Sequence, residues 1–383
     1  MTKIQLRNLW FQVHKWIGLI LAIAIIPLCL TGSALVWGDA LERMAYPERY
    51  AVGGPAALPA ERYAAAAGGV LRPGERLSRL TIPAEAGEPV EASAVRAARG
   101  GGRPERITVY LDPADARVIE RHEANSGIFQ ILHVIHGSLM IPGGWGRAIV
   151  GWIGVAMLVS SMTGLWLWWP VTGSVRRGLR WKRQPGTDAN LHHLLGFWIS
   201  VPLFVLSLTG VWISFPAVFS VFDAASRAPG RGPDRAAMMR ALPIEAPTTP
   251  IATAIAQARA AAPGDVRTLG WPTDLKREWY VDLASGRARA RVTVNDATGE
   301  AKAGPSRPGG PPHGIARTMR QVHDGHDMPL WWQVIVFLGG LLPAILAITG
   351  IIMWWRARGW RADLARRQGE ANARREAQAA REG

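Results

Sequence analysis

The chain has 383 residues, 49% of them hydrophobic and 19% charged, with a net charge of +15. A surplus of that size can mark a nucleic-acid binder, but here the cations gather beside long apolar stretches, which excludes that reading and points to a membrane protein oriented by its basic flanks. The single Cys29 excludes disulfides within the chain, haem attachment through Cys-x-x-Cys-His and a thiolate iron–sulfur cluster.

Four stretches are nearly free of charge: 16–37, 148–174, 194–221 and 328–355. Each is long enough to cross a hydrocarbon core of about 30 Å. The first follows Lys3, Arg7 and Lys15. Its apolar core is too long for a signal peptide and no small-residue cleavage site follows it, so residues 1–38 read as a short N-terminus and an uncleaved helix. The connection 39–126 holds an Ala-rich helical stretch at 60–68, a strand-like "RLSRLTIPA" at 76–84 and a hairpin signal "ITVYLDPADARVIE" at 107–120. Within 127–170, "IFQILHVIHGSLM" predicts an interfacial helix, "IPGGWG" breaks it, and the second span ends in "WLWWP". Many of the 18 Trp residues cluster at such ends, as an aromatic belt would. The loop 171–190 carries Arg176, Arg177, Arg180, Lys182 and Arg183, and 191–221 is the third span. The connection 222–314 repeats the outer plan, with an Ala-rich stretch at 250–262, "REWYVDL" at 277–283, "VTVNDATGEAKA" at 292–303 and a Pro/Gly linker to 314. Residues 315–356 hold the fourth span, and Arg356, Arg358, Arg361, Arg366 and Arg367 lead into a basic tail, 357–383. The positive-inside rule puts both termini and the short loop in the cytoplasm and both long connections outside.

The chain repeats itself. His14 and His192 each precede a Gly by four residues and a Thr-Gly pair (Thr31-Gly32, Thr209-Gly210) by 17. His136 and His323 each stand six residues before a Pro, and their spans reach Thr163-Gly164 and Thr349-Gly350. The expected fold is therefore a four-helix all-α membrane bundle of two parallel repeats, related by a pseudo-twofold axis along the membrane normal, with two small α+β modules outside. Symmetry pairs His14 with His192 at the cytoplasmic level and His136 with His323 at the outer level. Two imidazoles facing each other inside a bundle are the ligand set of a six-coordinate b-type haem. Two such haems are expected, with Gly32, Gly210, Gly164 and Gly350 clearing space for the flat macrocycles. His133 shares the face of His136, and His193 adjoins His192, so either is an alternative ligand. His122 and His326 read as surface residues, and His313 lies in the linker.

The "HxxxG…LTG" arrangement, "HGSLMIPGGWGRAIVGWIG", the "TGLWLWW" ending and the two hairpins resemble the PepSY-associated transmembrane family, over nearly the whole chain to about residue 360. Within that family the length and four-helix plan are most similar to bacterial inner-membrane ferric-siderophore reductases of the ferrioxamine type. The resemblance implies PepSY-like outer modules, haem ligation by His14, His136, His192 and His323, and electron delivery to a periplasmic ferric siderophore. No dinucleotide motif accompanies the Gly-rich segments at 100–102 and at Gly309 and Gly310, so the electron donor is expected to be a separate cytoplasmic reductase or a quinol. Trp271 and Trp279 are candidates for the docking surface. The rival readings are an iron or haem transporter and a PepSY-type regulatory or binding protein without redox activity.

Overall fold

A computed structural model describes residues 2–98, 104–123, 127–169, 174–181, 186–219, 235–238, 240–286, 288–304 and 315–382. The glycines at 100–102, Lys182, Arg183, the predicted end of the third span at 221, Gly309, Gly310 and His313 lie outside the described residues. The chain divides into two compact units. One comprises Met1–Trp37, Leu132–Asp223 and Ile315–Gly383, the other Gly38–Ile131 and Ala224–Gly314.

The first unit is helical. Helix α1 (Lys3–Val36) opens on a capping box, in which the Thr2 hydroxyl accepts from the Gln5 N–H while the Gln5 side chain accepts from the Thr2 N–H. Elements are numbered in chain order, and the other long helices are α5 (Gly143–Trp168), α7 (Thr187–Ser214) and α12 (Leu330–Glu382). These four are long and apolar enough to cross a membrane. They close a ring in which α1 and α7 each pack against both α5 and α12. Small residues bring the helices close, as membrane bundles require. A Cβ on Gly151 would meet the Phe215 ring at 2.5 Å, and one on Gly340 would meet the Cys29 carbonyl oxygen at 2.6 Å. Helix α7 begins and ends earlier than the predicted span. Pro216, which opens the short α8 (Pro216–Phe219), disfavours helical backbone at Phe215 and stops α7 at Ser214. Helix α12 runs on through the basic tail, which has no proline to interrupt it.

Two shorter helices lead into the spans, α4 (Ile128–Ser138) before α5 and α11 (Ile315–Asp324) before α12. The expected break after α4 is a turn in which Leu139 and Met140 both take left-handed backbone (φ 50° and 61°) before Pro142 caps α5. A single helical turn, α6 (Val175–Gly178), lies between α5 and α7.

The second unit carries one antiparallel sheet of eight strands, ordered β4-β3-β2-β1-β5-β6-β7-β8, with the first four strands from the first long connection and the last four from the second. The strands are β1 (Glu75–Thr81), β2 (Val90–Arg96), β3 (Glu105–Leu111), β4 (Val118–Glu123), β5 (Asp265–Gly270), β6 (Glu278–Ser285), β7 (Ala288–Asn295) and β8 (Ala301–Ala303). The halves join where β1 pairs with β5, Leu80 opposite Leu269. Left apart, each four-stranded half would expose an edge of unpaired N–H and C=O groups, and pairing removes both edges. Helices α3 (Ala60–Gly68) and α10 (Ile251–Ala261) share a single core with strands of both halves, including Tyr63, Leu80, Val109, Leu269, Trp279 and Val281. The small α2 (Gly38–Ala45), a 3-10 turn (Pro47–Tyr50) and α9 (Arg235–Met238) complete the unit. Trp271 and Trp279 belong to this core, 8% and 1% exposed, so they are not docking-surface residues.

Candidate functional site

Four imidazoles come together in two pairs inside the helical unit. His14 on α1 faces His192 on α7, with ring centroids 6.3 Å apart and planes at 85°. His136 on α4 faces His323 on α11, with centroids 6.1 Å apart and planes at 39°. The pairing assigns the facing positions to His136 and His192. His133 is exposed, and His193 stands beside His192 with its ring centroid 6.5 Å away. His122 belongs to the sheet unit beside Arg49 and Glu120, and His326 is exposed next to Asp327.

Each ring is seated on a Thr-Gly pair of a neighbouring helix, and one pattern recurs. His136 Nδ1 donates to the Leu28 carbonyl at 2.8 Å, three residues before Thr31. His14 Nδ1 lies 3.2 Å from the Ser160 carbonyl, three before Thr163. His323 Nδ1 donates to the Leu206 carbonyl at 3.0 Å, three before Thr209. His192 Nδ1 lies 3.0 Å from the hydroxyl of Thr349 itself. The threonine hydroxyls donate back to carbonyls of their own helices, as Thr31 does to Pro27 at 2.7 Å, and those of Thr163, Thr209 and Thr349 also lie 3.0–3.2 Å from the imidazole Nδ1. Because a carbonyl only accepts, Nδ1 carries the proton in His14, His136 and His323, and because the Thr349 hydroxyl gives its own proton to the Ile345 carbonyl at 2.9 Å it accepts from His192 Nδ1, so Nε2 keeps its lone pair in all four rings. That is the tautomer a metal-binding imidazole needs, with its orientation held from behind.

Each of the four glycines lies against one of the imidazoles. A Cβ on Gly32 would lie 2.6 Å from His136 Cε1, on Gly164 3.1 Å from His14 Cε1, on Gly210 3.1 Å from His323 Cε1 and on Gly350 3.6 Å from His192 Cε1. At Gly32, Gly164 and Gly210 the missing side chain makes room for the imidazole itself, whereas at Gly350 a methyl would make only ordinary contact. This geometry was legible only as a recurring Thr-Gly spacing. The backbone acceptors behind the rings have no side-chain signature.

The spacing of each pair suits one metal ion. Two metal–imidazole bonds of about 2.0 Å, plus about 1.2 Å from each nitrogen to its ring centre, put the centroids about 6.4 Å apart. Among the described residues no group of three or more His, Cys, Asp or Glu could hold a metal. Two imidazoles alone leave four positions of an octahedral ion to be filled, and a porphyrin supplies four nitrogens in a plane. The residues present therefore fit haem better than a bare metal ion.

Along α1 the two sites are separated by 18 residues, from His14 to Gly32. That is about 27 Å of helix, close to the thickness of a bilayer core. Between them the bundle interior is apolar, with Ile25, Cys29, Ile153, Met157 and Ala344 buried together. At the helix ends, Arg7 donates to the Leu167 carbonyl at 2.6 Å and Arg356 pairs with Asp188 at 2.8 Å. Of the terminal tryptophans, Trp166, Trp169 and Trp355 are exposed as anchors would be, while Trp168 stacks on Phe197 with centroids 4.1 Å apart.

A membrane-spanning helical bundle with two stacked imidazole pairs, joined in sequence to an eight-stranded sheet unit, defines the class. A family model described as the PepSY-associated TM region matches residues 11–358, and the chain belongs to that family. No curated protein matches it.

Proposed function

We propose that this chain is a di-haem inner-membrane reductase that passes electrons across the bilayer to a periplasmic ferric siderophore and releases the iron as Fe(II). The observation that carries the reading is the two imidazole pairs, 6.3 and 6.1 Å between centroids, each ring with a main-chain carbonyl or threonine hydroxyl behind its Nδ1. His14 and His192 would hold one b-type haem, and His136 and His323 the other. Haem bound at both levels would supply one-electron Fe(III)/Fe(II) chemistry near each face of the membrane. The chain's own contribution is orientation and insulation. Carbonyls of α1, α5 and α7 and the Thr349 hydroxyl of α12 lock the imidazoles, and the apolar layer around Met157 and Ala344 keeps water and ions from the path between the sites.

In this reading the two halves are parallel repeats about a pseudo-twofold axis. Both termini and the basic segments face the cytoplasm, and the sheet unit is a fused pair of PepSY-like modules in the periplasm. The donor is a cytoplasmic reductase or a quinol. The siderophore, of the ferrioxamine kind, follows from the family resemblance, because its oxygen donors hold Fe(III) far more tightly than Fe(II). The apolar layer argues against an iron or haem transporter, which would need polar groups at mid-membrane.

Proteoliposomes carrying reductant inside, with ferric trihydroxamate and a ferrous chelator outside, test the reaction. Ferrous chelate should form outside at a rate that depends on all four histidines. Iron accumulating in the lumen without an electron donor would instead establish transport. Haem-free protein purified with a bound partner would establish a regulatory role.

A further inference from the structure

We infer that the two imidazole pairs form electronically distinct centres, and that Ser160 is the positioning residue that makes the His14/His192 centre different. The inference rests on the haem reading proposed above.

The planes of His14 and His192 cross at 85°, those of His136 and His323 at 39°. An axial imidazole donates π density into the iron d orbital that lies perpendicular to its ring plane. Two rings near a right angle feed two different orbitals equally and leave them nearly degenerate. Two rings closer to parallel feed mostly the same orbital and split the pair. In the ferric low-spin state the first arrangement gives a strongly anisotropic magnetic resonance signal dominated by one large g-value. The second gives a rhombic three-line signal with a smaller maximum.

The local cause is one side chain. The residues three before the four threonines are Leu28, Ser160, Leu206 and Leu346, and only Ser160 adds a side-chain hydroxyl. His14 Nδ1 lies 3.2 Å from the Ser160 carbonyl, 3.3 Å from the Ser160 hydroxyl and 3.2 Å from the Thr163 hydroxyl. Three long contacts hold its N–H between acceptors, whereas His136 points straight at one carbonyl at 2.8 Å. This three-acceptor seat is what distinguishes the His14 ring from the other three.

Electron paramagnetic resonance of the oxidised, full-length protein in detergent tests this. The expected result is two low-spin ferric signals of equal spin count, one strongly anisotropic and one rhombic. His192→Ala should remove the anisotropic signal and His323→Ala the rhombic one. Ser160→Ala should shift the largest g-value of the anisotropic signal downward while haem content and the rhombic signal stay unchanged, and Ser160→Thr, which keeps the hydroxyl, should restore it. Two superimposable signals in the native protein would overturn the inequivalence. An unshifted signal in Ser160→Ala would overturn the role of Ser160. Absence of any low-spin haem signal would instead remove the haem reading itself, so the two failures are distinguishable.

Discussion

The Cβ that Gly32 lacks would stand 2.6 Å from Cε1 and 2.9 Å from Nδ1 of His136, with α1 backbone behind it, so neither side can yield cheaply. Gly350 is the opposite case, because a methyl there meets His192 at an ordinary 3.6 Å. Gly32→Ala should thus lower the haem-to-protein ratio from two toward one, Gly164→Ala and Gly210→Ala should have smaller effects, and Gly350→Ala should leave the ratio at two. Pyridine haemochrome assay of purified variants reads this series directly. In the sheet unit, burial alone would raise the Glu75 carboxyl. The Arg72 N–H and the Arg121 and Arg96 guanidiniums outweigh burial and hold it below the ordinary carboxylate range. A carboxyl depressed in the folded state stabilises the fold above its unfolded pKa, and that contribution is lost as the pH falls through the folded value. Acid titration of thermal unfolding should therefore show the sheet unit weakening below about pH 4. Glu75→Gln should lower stability by about 2–3 kcal/mol at neutral pH, since it leaves the partly buried Arg121 with only the Glu123 carboxylate at 3.4 Å, and should flatten that acid limb. The histidines of the site were legible in the sequence because their spacings to Thr-Gly recur. Their hydrogen-bond acceptors were not, because a main-chain carbonyl leaves no letter in the sequence.

At the scale of elements, the hairpin turns do more than reverse the chain. Asp296, buried between β7 and β8, accepts from the Thr248 and Thr249 N–H groups at 3.2 and 3.1 Å, just before α10. Asp112, in the β3–β4 turn, likewise accepts from the Gly53 N–H, ahead of α3. Each turn thus ties down the segment that delivers a helix onto the sheet. Asp296→Ala leaves the buried Thr249 N–H and the more exposed Thr248 N–H without their carboxylate and should cost about 1–3 kcal/mol, measurable as faster amide exchange across α10 and β6. Helices α3 and α10 and the β3–β4 and β7–β8 hairpins were readable from Ala-rich runs and from alternation around Asp-Pro and Thr-Gly turns. Strands β2 ("VEASAVR") and β5 ("DVRTLG") were not, because Ala, Gly, Asp and Arg carry little strand preference and their neighbours decide their state. The pairing of β1 with β5 joins residues about 190 positions apart, and no local pattern announces it.

Across the whole molecule, the helical unit places its two imidazole pairs about 27 Å apart along one helix, with apolar packing between them. An ion crossing that layer would lose its hydration without compensation, whereas an electron needs only two nearby redox centres. The four-helix plan followed from hydropathy and basic flanks, because a bilayer demands long apolar runs and leaves them visible. The central claim is that both imidazole pairs hold haem iron. Its most direct measurement is the haem-to-protein ratio, with the dithionite-reduced-minus-oxidised spectrum, for the native chain and for His14→Ala and His323→Ala. Two b-type haems per chain with low-spin bands, falling to one in each single variant, is the predicted result. A native chain without haem, or variants that keep both, would contradict it.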